Sequence, residues 1–340
     1  MSDYWVYAGL AGDTDPGRFL SAGLYRSRNG DGPWQSLADA FDRPPRVRAI
    51  LTNPETPGDV LIGAEDGIWR SNNAGETWRR LSAPAPELAV WSLTRHPTKP
   101  KTLLAGYEPS TIYQSDDDGE TWSKLPLSIS FPDVTLHPEP LPKRILSIAI
   151  DPQQPSDWYA GIEVGGLARS TDSGRTWASI IDGLYVNEDA VDIHSVAVDP
   201  LRRGVVTIAT RIGLFQSTDR GEHWRHLNVP KLRPQGSYCR ALVRLARDSK
   251  TMFAAGGNDF DGDKGALFVS RDAGENWRVA DLGLAAKTTL FAIAIDPRRP
   301  DNLFCTTKVG QVFRSYDCGV TWKVNALPPG AGHVFSLAAG

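Results

Sequence analysis

Short apolar runs recur along the whole chain and are separated by Gly, Pro, Asp and Asn. The segment Ile145–Pro152 ends in an Asp-Pro turn, and His194–Pro200 and Phe291–Pro297 repeat its pattern. A second kind of run, such as Trp158–Gly161, ends in small residues, and a third, such as Gly213–Gln216, leads into a polar turn. Runs this short, bounded by turn residues, predict β-strands. Each repeat unit therefore predicts four antiparallel strands, named A to D in chain order.

The polar turn between strands C and D has the form S-x-[DN]-x-G-x-x-W. It occurs at Ser71–Trp78, Ser115–Trp122, Ser170–Trp177, Ser217–Trp224, Ser270–Trp277 and Ser315–Trp322. A weaker copy from Ser27 to Trp34 has Asp31 where the glycine should stand. Successive tryptophans lie 44 residues (Trp34 to Trp78) to 55 residues (Trp122 to Trp177) apart. That period is typical of one four-stranded propeller blade per repeat.

The motif has a mechanical explanation in a tight C–D hairpin. The Asp or Asn side chain can accept backbone N–H bonds within its own turn, and glycine supplies the positive φ that such a turn needs. The tryptophan then buries a large apolar area beside the turn. Because catalytic residues do not recur in every blade, we interpret the motif as structural.

The two ends of the chain predict how the ring closes. The chain begins with a B-type strand, Trp5–Gly9, and finishes with an A-type strand, His333–Ala338. The last strand should therefore complete blade one, which removes two open sheet edges. The prediction is an all-β fold: one seven-bladed β-propeller domain of four-stranded antiparallel blades over residues 1–340.

By these motifs the chain resembles the Asp-box, or BNR-repeat, superfamily, which includes sialidases, two-propeller xyloglucanases, sortilin-type receptors and photosystem-assembly factors. The resemblance covers the whole chain and implies the propeller fold, but this fold hosts unrelated activities. Sialidases carry an Arg-Ile-Pro motif near the start, where this chain has Arg43-Pro44-Pro45. Xyloglucanases use a cleft between two propellers, and this chain holds one. No catalytic set is carried over, and the length fits a single propeller of the assembly-factor kind best.

Composition excludes some partners. The net charge is −3, so no basic footprint predicts nucleic-acid binding. No apolar stretch approaches the roughly 18 residues of a membrane helix. The start, Met1–Trp5, lacks the features of a secretory signal, and the cysteines, Cys239, Cys305 and Cys318, are odd in number without metal-type spacing. We expect a reduced, cytoplasmic setting; the mature form of a secreted protein would look similar.

The direction of the strands determines on which of the two faces of the propeller each connection lies. The Asp-Pro turns and the C–D hairpins share one face, and the longer, more varied D–A and B–C connections share the other, where binding sites usually lie. Aligned on Asp-Pro, the position six residues before Pro reads Arg48, Trp91, Leu146, His194, Arg240, Phe291 and Phe335. Two residues earlier it reads Arg46, Ala89, Arg144, Asp192, Tyr238, Thr289 and His333. A polar and aromatic collar is therefore predicted at the mouth of the central channel.

This collar predicts a site for a small anionic or sugar-like ligand. Arg48, Arg144 and Arg240 offer planar donors for a carboxylate, and Trp91 and His333 are candidate ligand contacts. The candidate catalytic residues are His194 as a proton carrier, Asp192, two positions away on the same side of the strand, and Tyr238. The alternative is ordinary solvation, because strand ends near water are polar in any propeller.

Two metal sites are also conceivable. Asp259, Asp261 and Asp263 alternate with glycines in a B–C loop and could wrap calcium, although the bidentate Glu of a full EF-hand loop is absent. His137, His194 and His333 fall on the loop-rich face and would suit a transition metal. Cys239 lies beside Arg240, which could activate its thiol, although a buried, inert thiol is the simpler interpretation.

Two hypotheses about function remain open from the sequence. The first is a binding module that holds a small ligand or a partner protein on the loop-rich face. The alternative is a hydrolase or lyase, sialidase-like or another glycoside hydrolase, with its active site at the same channel mouth.

Overall fold

A computed structural model describes residues 4–12, 21–82, 85–128, 142–184 and 188–340. Within these ranges the chain forms 28 strands and two short 3₁₀ helices, Ala38–Ala40 and Glu188–Ala190. No helix in these ranges is long and apolar enough to cross a membrane.

The strands of blades one to three follow in chain order. They are β1 (Trp5–Ala11), β2 (Ala22–Arg28) and β3 (Gln35–Ser36); β4 (Ala49–Thr52), β5 (Val60–Ala64), β6 (Gly67–Ser71) and β7 (Arg79–Arg80); and β8 (Ala89–Arg95), β9 (Leu103–Glu108), β10 (Thr111–Ser115) and β11 (Ser123–Lys124).

Blades four to seven complete the set. They contain β12 (Ile145–Ile150), β13 (Trp158–Ile162), β14 (Gly166–Ser170) and β15 (Ala178–Ser179); β16 (Ile193–Val198), β17 (Val206–Thr210), β18 (Gly213–Ser217) and β19 (Arg225–Leu227); β20 (Tyr238–Arg244), β21 (Met252–Gly257), β22 (Gly265–Ser270) and β23 (Arg278–Val279); and β24 (Leu290–Asp296), β25 (Arg299–Thr307), β26 (Val312–Ser315) and β27 (Lys323–Val324), followed by β28 (Val334–Ala339).

These strands pair as seven antiparallel sheets of four within the described ranges, which confirms the predicted propeller. The inner strands β4, β8, β12, β16, β20, β24 and β28 each contact the next around the ring. The C-terminal strand closes it: β28 pairs with β1, with Val6 opposite Ala339 and Ala8 opposite Leu337. Trp5 and Gly340 exchange both backbone hydrogen bonds, each at 3.0 Å. The core lies between neighbouring sheets, where apolar residues from adjacent blades pack together.

The C–D turn of the motif, which we call the repeat hairpin, is stabilised by its own side chains. In blade four, Ser170 Oγ accepts a hydrogen bond from the Gly174 N–H at 2.8 Å and donates one to Asp172 Oδ1 at 2.8 Å. Asp172 also accepts the Thr176 N–H, and the indole of Trp177 donates to the Gly174 carbonyl. Both Ser173, at φ 60°, and Gly174, at φ 81°, lie in the left-handed region. The predicted roles of the aspartate and the glycine are present in this hairpin, and the serine has a role that the motif alone did not predict.

The weaker copy in blade one folds differently. Ser27 Oγ donates to the Gly32 carbonyl, and Asn29, which stands at the position of the aspartate, accepts the Tyr4 N–H at 3.3 Å. Asn29 and Gly30 take the positive φ values. The indole of Trp34 donates to the Asn325 carbonyl of blade seven, not to its own turn, so this hairpin depends on its neighbour.

Neighbouring hairpins are also joined to one another. In blades one, two and five the residue before the motif serine donates to the carbonyl of the left-handed residue in the next hairpin, and in blade six the residue after the serine does so. Arg70 donates to the Asp118 carbonyl at 2.8 Å, and Arg271 donates to the Cys318 carbonyl at 2.7 Å. The Arg70 guanidinium also pairs with Asp59 at 2.8 Å. These contacts hold adjacent blades in register on the hairpin face.

The hairpin aspartates make the stability of the ring depend on pH. Hydrogen bonds from the residue four positions on, Thr121 and Thr176, lower the pKa of Asp117 and Asp172 to about 2. The same lowered pKa, about 2, is found for Asp219, Asp272 and Asp317. An unfolded aspartate titrates near pH 4, so this stabilisation is complete above about pH 4 and is lost as the pH falls through about 2.

We therefore expect the melting temperature to fall steeply between about pH 4 and pH 2, as followed by circular dichroism. Asp172→Asn is the matched variant, because Asn73 fills the equivalent position in blade two and accepts the Thr77 N–H at 3.0 Å. Its melting temperature should fall less over this interval. Equal pH dependence in the two proteins would contradict this assignment.

Candidate functional site

The loop-rich end of the channel opens into two joined cavities. The outer one has a volume of about 410 Å³ and the inner one about 230 Å³. They share Arg48, Trp91, Arg240 and Phe335 as lining residues. Arg48 lies immediately before β4, Trp91 lies on β8 and Arg240 on β20, so the A strands bring together side chains from blades two, three and six. Part of the predicted collar therefore lines a cavity.

Aromatic rings form an arc along the cavity wall. The Trp91 ring lies 6.5 Å from that of Phe335, which lies 5.0 Å from Phe291. Phe260 continues the arc, with its ring 5.5 Å from that of Phe291. Such rings offer flat apolar faces of the kind that a sugar or another ring can stack upon.

Arginine side chains lie against these rings. The guanidinium carbons of Arg48 and Arg144 lie 4.7 and 4.5 Å from the Trp91 ring centroid, so the indole contacts two cations. Arg240 lies 4.8 Å from the Phe291 ring centroid. Cation–π contact holds planar guanidinium groups at fixed positions around the mouth.

Three glutamates complete the charged part of the site. Glu108 accepts hydrogen bonds from the Trp91 indole at 2.7 Å and from Arg144 Nε at 3.1 Å. Arg144 Nη1 donates to Glu163 at 2.9 Å, so one guanidinium joins two carboxylates from neighbouring blades. Glu65 pairs with Arg46, whose Nε lies 3.5 Å away.

These glutamates are not among the residues predicted from the sequence, although the repeat contains a signal for them. Each lies two residues after a glycine of strand B: Gly63 precedes Glu65, Gly106 precedes Glu108 and Gly161 precedes Glu163. The predicted collar rests on an alignment of the A strands alone. Aligning the B strands in the same way would have placed acidic residues at one level of three successive blades.

Two arginines at the mouth have buried N–H donors that lack hydrogen-bond acceptors. The Nε and Nη1 atoms of Arg48 are buried and have no hydrogen-bond partner, and neither has Nη1 of Arg240. The Arg240 side chain is only 10% exposed, and its nearest carboxylate oxygen, on Glu163, lies 3.9 Å away. Burial, and secondarily the charge of Arg46, lowers the pKa of Arg48 to about 10, so the group is still a cation at neutral pH. Buried donors without acceptors are costly in a folded protein, and a bound anion would satisfy them.

The predicted catalytic residues lie together beneath this mouth. His194 Nδ1 contacts the Cys239 carbonyl at 2.7 Å, and Nε2 lies 3.3 Å from Asp192. Burial opposes ionisation of Asp192, but the charge of His194 and their hydrogen bond outweigh it, and the pKa of Asp192 is lowered. Tyr238 packs on His194 with ring centroids 4.7 Å apart, and burial raises its pKa. Only His194 of these three lines a described cavity.

Of the other predicted ligand-binding residues, some line a cavity and some do not. Arg144 lines the outer cavity, but His333 lines neither of the two. The His333 N–H donates to Ser21 Oγ at 2.9 Å, and its carbonyl accepts the Ala11 N–H, so its backbone ties the closing strand to blade one. Burial raises the pKa of the Cys239 thiol to about 12, which makes it inert.

The predicted metal ligands do not converge in the described residues. Asp259 lies 3.7 Å from Arg233, Asp261 pairs with Lys308, and Asp263 accepts a hydrogen bond from Asn258 at 2.9 Å. No group of three His, Cys, Asp or Glu side chains that could hold a metal is found in the described part of the chain. His137, one member of the three-histidine hypothesis, lies outside the described residues.

The opposite end of the channel has a different character. A cavity of about 530 Å³ opens between the Asp-Pro turns and is lined mainly by apolar groups, including Pro54, Pro97, Pro297 and Leu93. Among the described residues, the arc of aromatic rings and the glutamates belong to the loop-rich mouth. That mouth is therefore the better candidate for ligand recognition.

Comparisons with known proteins identify the fold of the chain but not its activity. No family model matches the chain. It is 23% identical over 332 residues to a xyloglucanase of Hypocrea jecorina and 26% identical over 320 residues to one of Acetivibrio thermocellus. These alignments cover 82% and 79% of this chain but only 38% and 37% of the relatives. The chain thus spans less than two fifths of the curated relatives that it matches.

Solved structures show the same likeness in three dimensions. The GH74 enzyme of Niastella koreensis superposes with a TM-score of 0.65 at 18% identity, covering 83% of this chain and 45% of that one. YCF48 of Cyanidioschyzon merolae superposes with a TM-score of 0.57 at 16% identity, covering 85% and 86%. A structure of YCF48 bound to D1 peptide gives a TM-score of 0.55 at 15% identity, covering 94% and 85%. The chain is a seven-bladed β-propeller with neighbours among the GH74 and YCF48 propellers.

Proposed function

We propose that the loop-rich mouth binds a saccharide that carries a carboxylate, and that the chain acts on it as a glycoside hydrolase. The observation that carries this proposal is the pair of buried arginines, Arg48 and Arg240, whose donors lack acceptors beside an arc of aromatic rings. Similarity to xyloglucanases supports a carbohydrate as the ligand. The repeat motif supports membership of the Asp-box superfamily, in which such activities occur.

The charges at the mouth favour an anionic ligand over a neutral one. Arg46 is matched by Glu65, and Arg144 by Glu108 and Glu163. Arg48 has no ion pair among the described residues, and Arg240 has only a distant contact with Glu163. A carboxylate between these two guanidinium groups would receive planar, charge-assisted hydrogen bonds. The aromatic arc would hold the sugar ring to which the carboxylate belongs.

For hydrolysis, Glu108 and Glu163, which line the outer cavity together with Trp91 and Arg240, are the carboxylates of this proposal. Glycoside hydrolases generally use two carboxyl groups beside the scissile bond, and the transition state carries positive charge on the sugar ring. Both glutamates pair with Arg144, which fixes the positions of two carboxylates that could stabilise that charge. His194 lines the inner cavity and is the proton carrier of this proposal, with Asp192 orienting its ring. Because both ring nitrogens are engaged, its proton reaches a ligand only when one of these contacts opens.

The binding step is tested by calorimetric titration with an oligosaccharide ending in glucuronate and with its neutral counterpart ending in glucose. We expect the acidic sugar to bind at least about tenfold more tightly, because it alone satisfies the arginine donors. Arg240→Met keeps the stem of the side chain and should remove that preference. Equal affinity for the two sugars would contradict the anionic ligand while leaving a carbohydrate site intact, and binding of neither would overturn both.

The hydrolytic step is tested by release of reducing ends from acidic glycans and from xyloglucan. Glu163→Gln and Glu108→Gln should each lower turnover by about a hundredfold or more while leaving the fold intact. Glu65→Gln is the matched control, because Glu65 pairs with Arg46 and does not contact Arg144 among the described residues. Binding without any turnover would reduce the protein to a sugar-binding module.

A second candidate, peptide binding, is favoured by one observation. YCF48 has been solved with a D1 peptide, and this chain covers 85% of that structure, whereas it covers less than half of the GH74 enzymes. The free carboxylate of a peptide C-terminus would fit the same two arginines. Titration with short peptides that differ only by C-terminal amidation separates this candidate from the sugar.

A further inference from the structure

Exposed apolar side chains are concentrated on one part of the rim. In the described part of the chain, seven large hydrophobic residues are exposed, and all but Leu201 lie between residues 279 and 324, in blades six and seven. Single exposed hydrophobic residues are common on protein surfaces, whereas a cluster of them often marks an interaction site. The repeat provides an internal control, because each position has counterparts in the other blades.

The outermost strand shows the first departure from the repeat. In blades one to seven, the residue of this strand that pairs with the residue two positions before the motif serine is Ser36, Arg80, Lys124, Ser179, His226, Val279 and Val324. The first five are polar or charged, as is usual for the edge of a sheet exposed to water. In blades six and seven the residue is valine, 47% and 42% exposed. These two edges lack the polar side chain found on the others.

The repeat hairpin shows a second departure at the residue after its glycine. That residue is Glu76, Glu120, Arg175, Glu222, Glu275 and Val320 in blades two to seven. In blades three and six the glutamate pairs with an arginine on the outermost strand of the preceding blade, as Glu275 does with Arg225 at 2.8 Å. Val320 is 70% exposed and leaves Arg278, the equivalent arginine of blade six, without that partner.

Part of this apolar surface joins blade six to blade seven. The segment after Val279 runs past blade seven, and a Cβ on Gly283 would lie 3.6 Å from the Trp322 carbonyl oxygen. Ala280 and Leu282 pack with Trp322 in one cluster. Beside them is a groove of about 380 Å³ that includes Val279 and Leu284, the latter 52% exposed. We call Val279, Leu284, Val320 and Val324 the valine rim.

Two cations border the valine rim. Arg278 and Lys323 begin strands β23 and β27, and their side chains have no ion pair or hydrogen bond among the described residues. On a strand, successive side chains point to opposite sides, so each edge presents a cation on one side and a valine on the other. The backbone groups of these edge strands face outward and are available to another strand.

We propose that the valine rim is a docking site for an extended segment of a partner protein in which acidic and apolar residues alternate. Such a segment would add a strand to the edge of blade six or seven, with apolar residues on the valines and acidic residues on Arg278 and Lys323. A second copy of this chain fits less well, because a two-fold interface would bring these cations against one another. The proposal is independent of the channel mouth and of its ligand.

The proposal is tested with the full chain and a fluorescent peptide of alternating Glu and Val, by fluorescence anisotropy. The triple variant Val279→Arg, Val320→Glu and Val324→Lys restores residues that equivalent blades already carry, so it should fold with an unchanged melting temperature. We expect saturable binding to the natural chain and at least about tenfold weaker binding to the triple variant. A Lys-Val peptide should not bind, and salt should weaken the Glu-Val complex.

Leu201→Glu is the matched control, because Leu201 is 55% exposed in an Asp-Pro turn away from this rim. It should bind the Glu-Val peptide as the natural chain does. Failure of the peptide to bind, or equal binding by the triple variant, would overturn the proposal. So would a natural chain that dimerises in light scattering while the triple variant stays monomeric, because the rim would then be occupied by a second copy.

Discussion

Removal of residues 333–340 should abolish cooperative folding of the propeller. This segment contains β28, which supplies the innermost strand of blade one and pairs with β1. Val334 and Leu337 are buried in the cluster between blades seven and one. Burying one such side chain contributes about 1.5–3 kcal/mol, and the backbone pairing adds to this, whereas a whole domain is stable by about 5–15 kcal/mol. Without the strand, blades one, two and seven all lose an inner neighbour.

The measurement is thermal unfolding by circular dichroism, together with limited proteolysis of the truncated chain. A peptide of residues 333–340 added in trans is the control, since it should restore part of the lost transition if pairing is the cause. A truncated chain that melts at the temperature of the natural one would show that closure contributes little.

Replacing Trp91 by alanine should weaken binding of the acidic sugar by about a hundredfold. The indole contacts the guanidinium groups of Arg48 and Arg144 and donates its N–H to Glu108. Each cation–π contact is worth about 0.5–2 kcal/mol, so losing both frees two arginines from their fixed positions. Because the ring lines a cavity, the fold should lose little stability.

Trp91→Phe separates the two roles of this side chain. It keeps a ring between the arginines but removes the N–H donor to Glu108, so binding should fall by less than in the alanine variant. Calorimetric titration of both variants gives the comparison. If Trp91→Ala binds the acidic sugar as tightly as the natural protein, the arginines do not depend on the indole and the described site is not the one used.

The repeat made most of the fold predictable. Seven copies of one hairpin, with Gly and Trp at fixed distances, leave little freedom for the strand order, and the match between His333–Ala338 and the other A strands indicated closure. The hairpin of blade one was recognised as weak, but its dependence on Asn325 of blade seven was not, because that contact joins residues far apart in the chain.

The site was predicted less completely, for a physical reason. Aligning the A strands placed Arg48, Trp91 and Arg240 at one level, and the structure brings them to one cavity. Which arginine is paired depends on the glutamates at the ends of the B strands, which the alignment did not include. The predicted roles of His194, Asp192 and Tyr238 remain predictions; their burial and mutual contacts are properties of packing that spacing cannot reveal.

The links from Arg70 and Arg271 to the neighbouring hairpins have a consequence for how such a protein can change. They hold neighbouring blades together on the side of the ring that carries the repeated turns, so the opposite side, apart from the Arg144 pairs with Glu108 and Glu163, depends less on its side chains to hold the ring together. Mutations there can accumulate without loosening the scaffold. A library confined to the ends of the B strands should therefore yield new specificities at little cost in melting temperature, whereas the same number of changes among the hairpins should yield mostly unfolded chains.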